Sequence, residues 1–122
     1  MKYVACGIMY HNDKILMGKR SPMSDSPGLW EFPGGKLENG ETIEQCLHRE
    51  WKEELNLTIL IDRQIAVSTV EKDVTCYFFI GKILDISNIQ QNVQESIDFF
   101  YPYEMKNLQL FEGDDVIVDM LC

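Results

Sequence analysis

Residues Thr42 to Leu55 restrict the fold more than any other stretch. Thr42, with Gln45 three positions on, fits a capping box, and Asn56 just past the end suits a left-handed C-terminal cap. At about 100° per residue, with Ile43 at zero, Leu47 falls at about 40°, Trp51 at about 80° and Leu55 at about 120°. That apolar stripe must be covered, so the helix has to pack on another layer. The acids do not keep to the far side. Glu54 lands at about 20°, Glu50 at about 340° and Glu53 at the border at about 280°, whereas Gln45, His48 and Lys52 lie opposite. Glu44, at about 100°, also falls among apolar positions, in the first turn where a wheel is crude.

Carboxylates one turn apart on an inward face cost several kcal/mol unless compensated. Proton sharing is one compensation, and a hard divalent cation with oxygen ligands is another. The i, i+3, i+4 spacing of Glu50, Glu53 and Glu54 lets all three reach one point beside the helix. The alternative is an ordinary solvated acidic face, which the placement of Glu50 and Glu54 opposes. Just upstream, Gly34-Gly35 reads as a tight turn whose backbone could approach a metal or phosphate closely, with Lys36 beside it as a point charge for phosphate oxygen.

The rest of the chain reads mainly as strands. "YVACGIMY" and "KILMGKR" flank His11-Asn12-Asp13 and form a hairpin, and "SPMSDSPG" is a loop. "LWEF" is a short strand. "LTILIDRQIAVSTVE" and "VTCYFFIGKIL" form a second hairpin around Glu71-Lys72-Asp73. "IDFFYPY" is a strand cut off at Pro102, and "DDVIVDML" is a C-terminal helix capped by Asp114 or Gly113. Strands with one strong central helix and one at the end predict an α/β sandwich, a mixed sheet between helices. The 122 residues suit one domain, 1–122, with no repeat or linker.

The net charge of −9, from 20 acids and 11 bases, disfavours a nucleic-acid polymer as partner. An acidic protein binds a small polyphosphate only when divalent cations bridge the two. Cys6, Cys46, Cys76 and Cys122 lie far apart with no CxxC pair, so they read as free thiols in a reducing compartment. No apolar run approaches the roughly 18 residues of a membrane helix, and the N-terminus reads as a strand rather than a signal peptide. A cytoplasmic protein without membrane contact is expected.

Gly35, five residues, Glu41, seven residues, then Arg49-Glu50-Trp51-Lys52-Glu53-Glu54-Leu55-Asn56-Leu57 resembles the Nudix box, G-x5-E-x7-R-E-U-x-E-E-x-G-U with U aliphatic. Trp51 stands where an aliphatic residue is usual, and Asn56 where glycine is usual. "GLWEFPGGKLENGET" resembles the MutT and CTP-pyrophosphohydrolase branch of that family, and "KRSPMSDSPG" and "LFEGDDVIVDML" resemble it more loosely. The resemblance implies a three-layer α/β/α fold, Mg2+ or Mn2+, and hydrolysis of a nucleoside diphosphate linked to a further group.

The same resemblance implies that Glu50, Glu53 and Glu54 ligate metal or activate water, that the Gly35 carbonyl also ligates, and that Glu41 and Arg49 orient the cluster. A further acid before the last strand would complete the site, with Asp98 preferred over Glu95. Asp114, at the mouth of the last helix, would read the base, Arg20 would contact the nucleotide, and Phe78, with Tyr77 and Phe79 beside it, could stack on a base. His11 and His48 read as a turn residue and a solvated helix residue. Asp73 stands where the ADP-ribose branch carries proline, and Val74 and Thr75 where the dinucleoside-polyphosphate branch carries tyrosine. The expectation is a nucleoside triphosphate pyrophosphatase releasing monophosphate and pyrophosphate, as a monomer or homodimer. Hydrolysis of ADP-ribose or a dinucleoside polyphosphate, or a non-catalytic nucleotide-binding module, are the alternatives.

Overall fold

A computed structural model describes residues 2–71 and 73–122. Its strands form one sheet: β1 (Lys2–His11), β2 (Lys14–Lys19), β3 (Trp30–Glu31), β4 (Gly34–Lys36), β5 (Ile59–Glu71), β6 (Val74–Ile83) and β7 (Ser96–Phe100). The helices are α1 (Ile43–Leu55), α2 (Pro102–Met105) and α3 (Asp114–Leu121). The main path runs β3-β2-β1-β6-β5, with β4 on β1 and β7 on β2. β1 and β6 are parallel and the other pairs antiparallel, so the sheet is mixed.

The two faces of the sheet carry separate cores. Ala5, Met9, Leu16 and Phe79 pack against Leu47, Trp51 and Leu55 of α1. Cys6, Ile8, Met17, Cys76 and Phe78 pack against Met105, Ile117 and Val118 of α2 and α3. The period-two alternation of β1 and β6 thus feeds one helix layer on each side, the expected α/β/α sandwich.

The local signals behave as read. Asn12 (φ 51°) and Asp13 (φ 67°) supply the two positive-φ positions of a two-residue hairpin turn. Thr42 Oγ1 accepts from Gln45 N at 3.1 Å while Gln45 Oε1 accepts from Thr42 N at 2.8 Å, and Asn56 ends α1 at φ 53°. In the second hairpin Asp73 takes φ 70°, and Lys72 lies outside the described residues. Gly34-Gly35 is not the tight turn its sequence suggests. The pair opens β4, where Ala5 pairs with Gly35 and Cys6 with Gly34. A Cβ on Gly34 would stand 1.7 Å from Ala5 O, so glycine serves close backbone approach rather than a reversal. α2 was also not anticipated; Pro102, read as a strand terminator, starts it.

β1 forks: its C-terminal end pairs with β2 and its N-terminal end with β4. At the fork, Pro33 O accepts from Gly7 N at 2.9 Å and from Trp51 Nε1 at 2.8 Å. A Cβ on Gly7 would lie 2.7 Å from that indole nitrogen. The indole at position 51 therefore relies on the missing side chain at position 7.

Candidate functional site

The glutamate-bearing edge of α1 faces this fork. Glu54 is buried, Glu50 half-buried and Glu53 exposed, so the three line a graded path from core to solvent. Glu44, against its wheel angle, is exposed in the first turn, and His48 is exposed as expected. A Cβ on Gly35 would come within 2.2 Å of Glu50 Cδ, so the bare β4 backbone is the cradle in which the Glu50 carboxylate lies.

Arg49 ties the acids together. Its Nε and Nη2 donate to the two oxygens of Glu41 at 3.0 and 2.9 Å, and Nη2 donates to Lys36 O at 3.0 Å. Nη1 donates to Glu50 Oε1 at 2.7 Å and Glu53 Oε2 at 3.1 Å. The Arg49 hydrogen bonds, with Glu38 N behind them, lower the Glu41 pKa to about 2, and the surrounding acids hold Arg49 above the ordinary arginine range. Glu41 is thus a fixed anion that anchors one end of the guanidinium while the other end meets Glu50 and Glu53.

Glu54 behaves differently. Burial, then a hydrogen bond and the charge of Glu50, then the charge of Glu31, push its pKa up to about 9, against a lowering by Gln94. Desolvation and like charge both favour the proton. Among the described residues, no three His, Cys, Asp or Glu side chains already form a metal-ligating group. What is present is a set of oxygen donors: Glu50 lies in the Gly35 cradle, Arg49 links it to Glu53 and a hydrogen bond links it to Glu54, and the Gly35 carbonyl accepts from Cys46 Sγ at 3.5 Å. That set suits a hard cation such as Mg2+ or Mn2+.

Beside the cradle is a cavity of about 280 Å³, lined among others by Cys6, Arg20, Glu31, Phe32, Lys36 and Asp114. The segment before α3 runs alongside β3, with Trp30 N donating to Gln109 O and Phe111 N to Trp30 O, both at 2.8 Å. This places Asp114 over β3, where its Oδ2 accepts from Phe32 N at 3.1 Å. Asp114 is 4% exposed, and burial pushes its pKa well up. Gly113 is the cap residue of α3 and makes no side-chain cap bond. Arg20 donates to Glu31 Oε2 at 2.9 Å and Asp25 Oδ1 at 2.8 Å, and lies over the Phe111 ring at 4.6 Å. Lys36 is exposed at the rim.

Two residues chosen from sequence fall elsewhere. Phe78 is fully buried, edge-on to Phe32 in the core under α3, so its ring has no free face for a base. Asp98 is exposed and pairs with Met17, whose side chain enters the α3-side core, whereas its neighbours Ile97 and Phe99 pack on the α1 side. Alternation turns Asp98 away from the glutamates, and its Oδ1 accepts from Phe99 N. Glu95 forms an ion pair with Lys19 at 3.8 Å. The residue that reaches Glu54 is Gln94, whose Nε2 donates to Glu54 Oε1 at 2.6 Å. Glu31 was also missed. Its signal was an acid between two aromatics, Trp30 and Phe32, in a strand entering the core. Gln94 gave no local signal.

The Nudix-domain family matches residues 1–118. The chain belongs to the Nudix family. Members of this family generally depend on divalent cations. Among curated relatives of this Nudix chain, the CTP pyrophosphohydrolase of Escherichia coli (strain K12) is 41% identical over 63 residues, 52% of this chain and 47% of that protein. The 8-oxo-dGTP diphosphatase of Proteus vulgaris is 37% identical over 84 residues, 64% of this chain and 73% of that protein. The match thus spans about half the length of the first relative and about three quarters of the second. The solution structure of the E. coli ORF135 protein superposes with a TM-score of 0.80 at 27% identity, covering 98% of this chain and 86% of that one. The MutT protein from Methanosarcina mazei Go1 gives 0.84 at 17% identity over 98% and 91%, a likeness of fold alone. Among the described residues, no helix is long and apolar enough to cross a membrane.

Proposed function

We propose that this Nudix chain is a MutT-like pyrophosphatase that splits a nucleoside triphosphate into the monophosphate and pyrophosphate with Mg2+ or Mn2+. The observation that carries the reading is the inward Glu50–Glu54 pair on the Gly35 cradle, opening beside a cavity of nucleobase size that holds Asp114 and Arg20. Relatives named 8-oxo-dGTP diphosphatase and CTP pyrophosphohydrolase support the same activity.

Glu50, Glu53, Glu54 and the Gly35 carbonyl would hold the cation, which when bound neutralises phosphate charge and eases deprotonation of water. The chain's own groups supply the rest. Glu41 fixes Arg49, and Arg49 holds Glu50 and Glu53 in place without competing for a cation. A carboxylate of this cluster takes the proton from the attacking water. The water oxygen joins phosphorus, the anhydride bond between the α and β phosphates breaks, and pyrophosphate leaves. Lys36 at the rim offers its charge to the phosphates. Arg20 and Asp114 line the cavity for the nucleoside, and one Asp114 oxygen is already engaged by Phe32 N.

The test is product analysis with normal and oxidised nucleoside triphosphates, and with ADP-ribose as comparison. Monophosphate and pyrophosphate in equal amounts, lost in excess chelator, is the expected result. Release of orthophosphate, turnover in chelator, or reaction with ADP-ribose alone would overturn it.

A further inference from the structure

The loop between β6 and β7 closes over the C-terminal end of α1. Gln90 N donates to Leu55 O at 2.8 Å, Asn92 N to Glu54 O at 3.0 Å, and Asn92 Nδ2 to Glu53 O at 2.9 Å. Carbonyls at a helix end lack intrahelical partners, so three are satisfied by one loop. The loop's own end is pinned by Gln91 Nε2, which donates to Gln94 O at 3.2 Å and Glu95 O at 2.6 Å. The result is that Gln94 is driven inward.

Gln94 is 92% buried, being 8% exposed. It is admitted by Gly18 of β2, where a Cβ would stand 2.6 Å from Gln94 Cγ. Its Nε2 donates to Glu54 Oε1 at 2.6 Å, while its Oε1 is buried and has no hydrogen-bond partner among the described residues. A buried amide oxygen without a partner costs about as much as a lost hydrogen bond, so an amide kept here needs a reason. Packing alone would be served by an apolar side chain. We propose that Gln94 is a positioning residue of the cation site: its N–H fixes one oxygen of Glu54, and its carbonyl oxygen serves as a neutral oxygen donor for the cation or its water shell. The inference rests on the cation reading of the glutamates given above. It differs from a further carboxylate in that position because the amide adds an oxygen without adding charge, and it orients Glu54 when no cation is bound.

The experiment uses Mn2+ alone, without nucleotide, counted by the electron paramagnetic resonance of the unbound ion, with melting curves in chelator and in Mn2+. Gln94→Met should bind Mn2+ about tenfold or more weakly, in the range typical of lost residues behind a metal ligand, while melting in chelator no lower than the parent. Gly18→Ala, which displaces Gln94 without touching its chemistry, should weaken Mn2+ in the same direction. Gln94→Glu places a carboxylate against Glu54. It should melt lower than the parent in chelator and gain more from Mn2+ than the parent does. Parent-like Mn2+ affinity in Gln94→Met overturns the proposal. Should that variant not fold, an equal Mn2+ gain for Gln94→Glu and the parent overturns it instead. A parent that takes up no Mn2+ removes the underlying cation reading, which separates the two failures.

Discussion

Glu54 and Asp114 are both buried acids, and they call for different tests. Glu54→Gln keeps the volume and an oxygen for Gln94 Nε2 but removes the charge. A lost ligand costs a few kcal/mol of transition-state stabilisation, so turnover should fall by about a hundredfold or more. Melting in chelator should stay near the parent's at neutral pH, because burial and Glu50 push the Glu54 pKa up to about 9 and keep it protonated there, and should exceed the parent's only at alkaline pH. Steady-state kinetics and calorimetry check both, with Glu44→Ala, on the exposed first turn, as the near-parental control. For Asp114 the pH dependence has a definite sign. Its native pKa is raised by burial above the unfolded value of about 3.9, so the native state holds more protons. Its contribution is therefore present below about pH 3.9 and is lost as pH rises toward the native pKa. Asp114→Asn should lose less melting temperature between pH 5 and pH 8 than the parent. At a pH above its raised native pKa Asp114 is ionised and only accepts, and there guanine-type and cytosine triphosphates should be preferred over uridine and thymidine ones by about tenfold to a hundredfold, for an unpaired-group cost of about 1–3 kcal/mol. Asp114→Ala should level that ranking in a substrate panel.

Two contacts between elements set the site, and both depend on glycine where a strand meets α1. Gly7 of β1 leaves room for the Trp51 indole. Gly7→Ala should destabilise the fold by about 1–3 kcal/mol through overpacking, whereas in a Trp51→Leu background the same change should cost under about 1 kcal/mol. Denaturant unfolding of the four proteins gives the coupling directly. Gly35 of β4 is different, because its added Cβ would meet the far end of the Glu50 side chain rather than backbone. Glu50 would swing aside and the sheet would stand. Gly35→Ala should therefore keep a parental melting temperature and circular dichroism while losing most of its turnover.

At the scale of the molecule, the proposed cation site, in a chain of net charge −9, predicts that divalent cations stabilise the fold. Binding to the native state alone adds about 2.7 kcal/mol at a hundredfold excess over Kd. Mg2+ or Mn2+ should raise the melting temperature well beyond Na+ at equal ionic strength. Equal effects of the two salts would show only charge screening.

The local pattern of α1 was legible except at Glu44 in its first turn, which is exposed against its wheel angle. The capping box, the left-handed Asn56 and the inward Glu50 and Glu54 follow from spacings within one helix, where a fixed 3.6-residue period converts sequence into direction, whereas the Glu41–Arg49 pair was implied by the family resemblance alone. The first hairpin followed for a similar reason, because Asn12-Asp13 permits the positive φ that its turn demands. Strand faces were not legible, since alternation says only that neighbours differ, not which side meets which helix. Phe78 went to the core under α3 and Asp98 away from the glutamates because of registers with Cys6 and Met17 set far along the chain. Gln94 reaches Glu54 only after a loop docks on a helix end, and the charge of Glu31 acts on Glu54 only once β3 joins β2. The chain's own periodicity determined where the acids gather; long-range strand pairing decided what surrounds them, because those contacts link residues 40 and more positions apart that no local period connects.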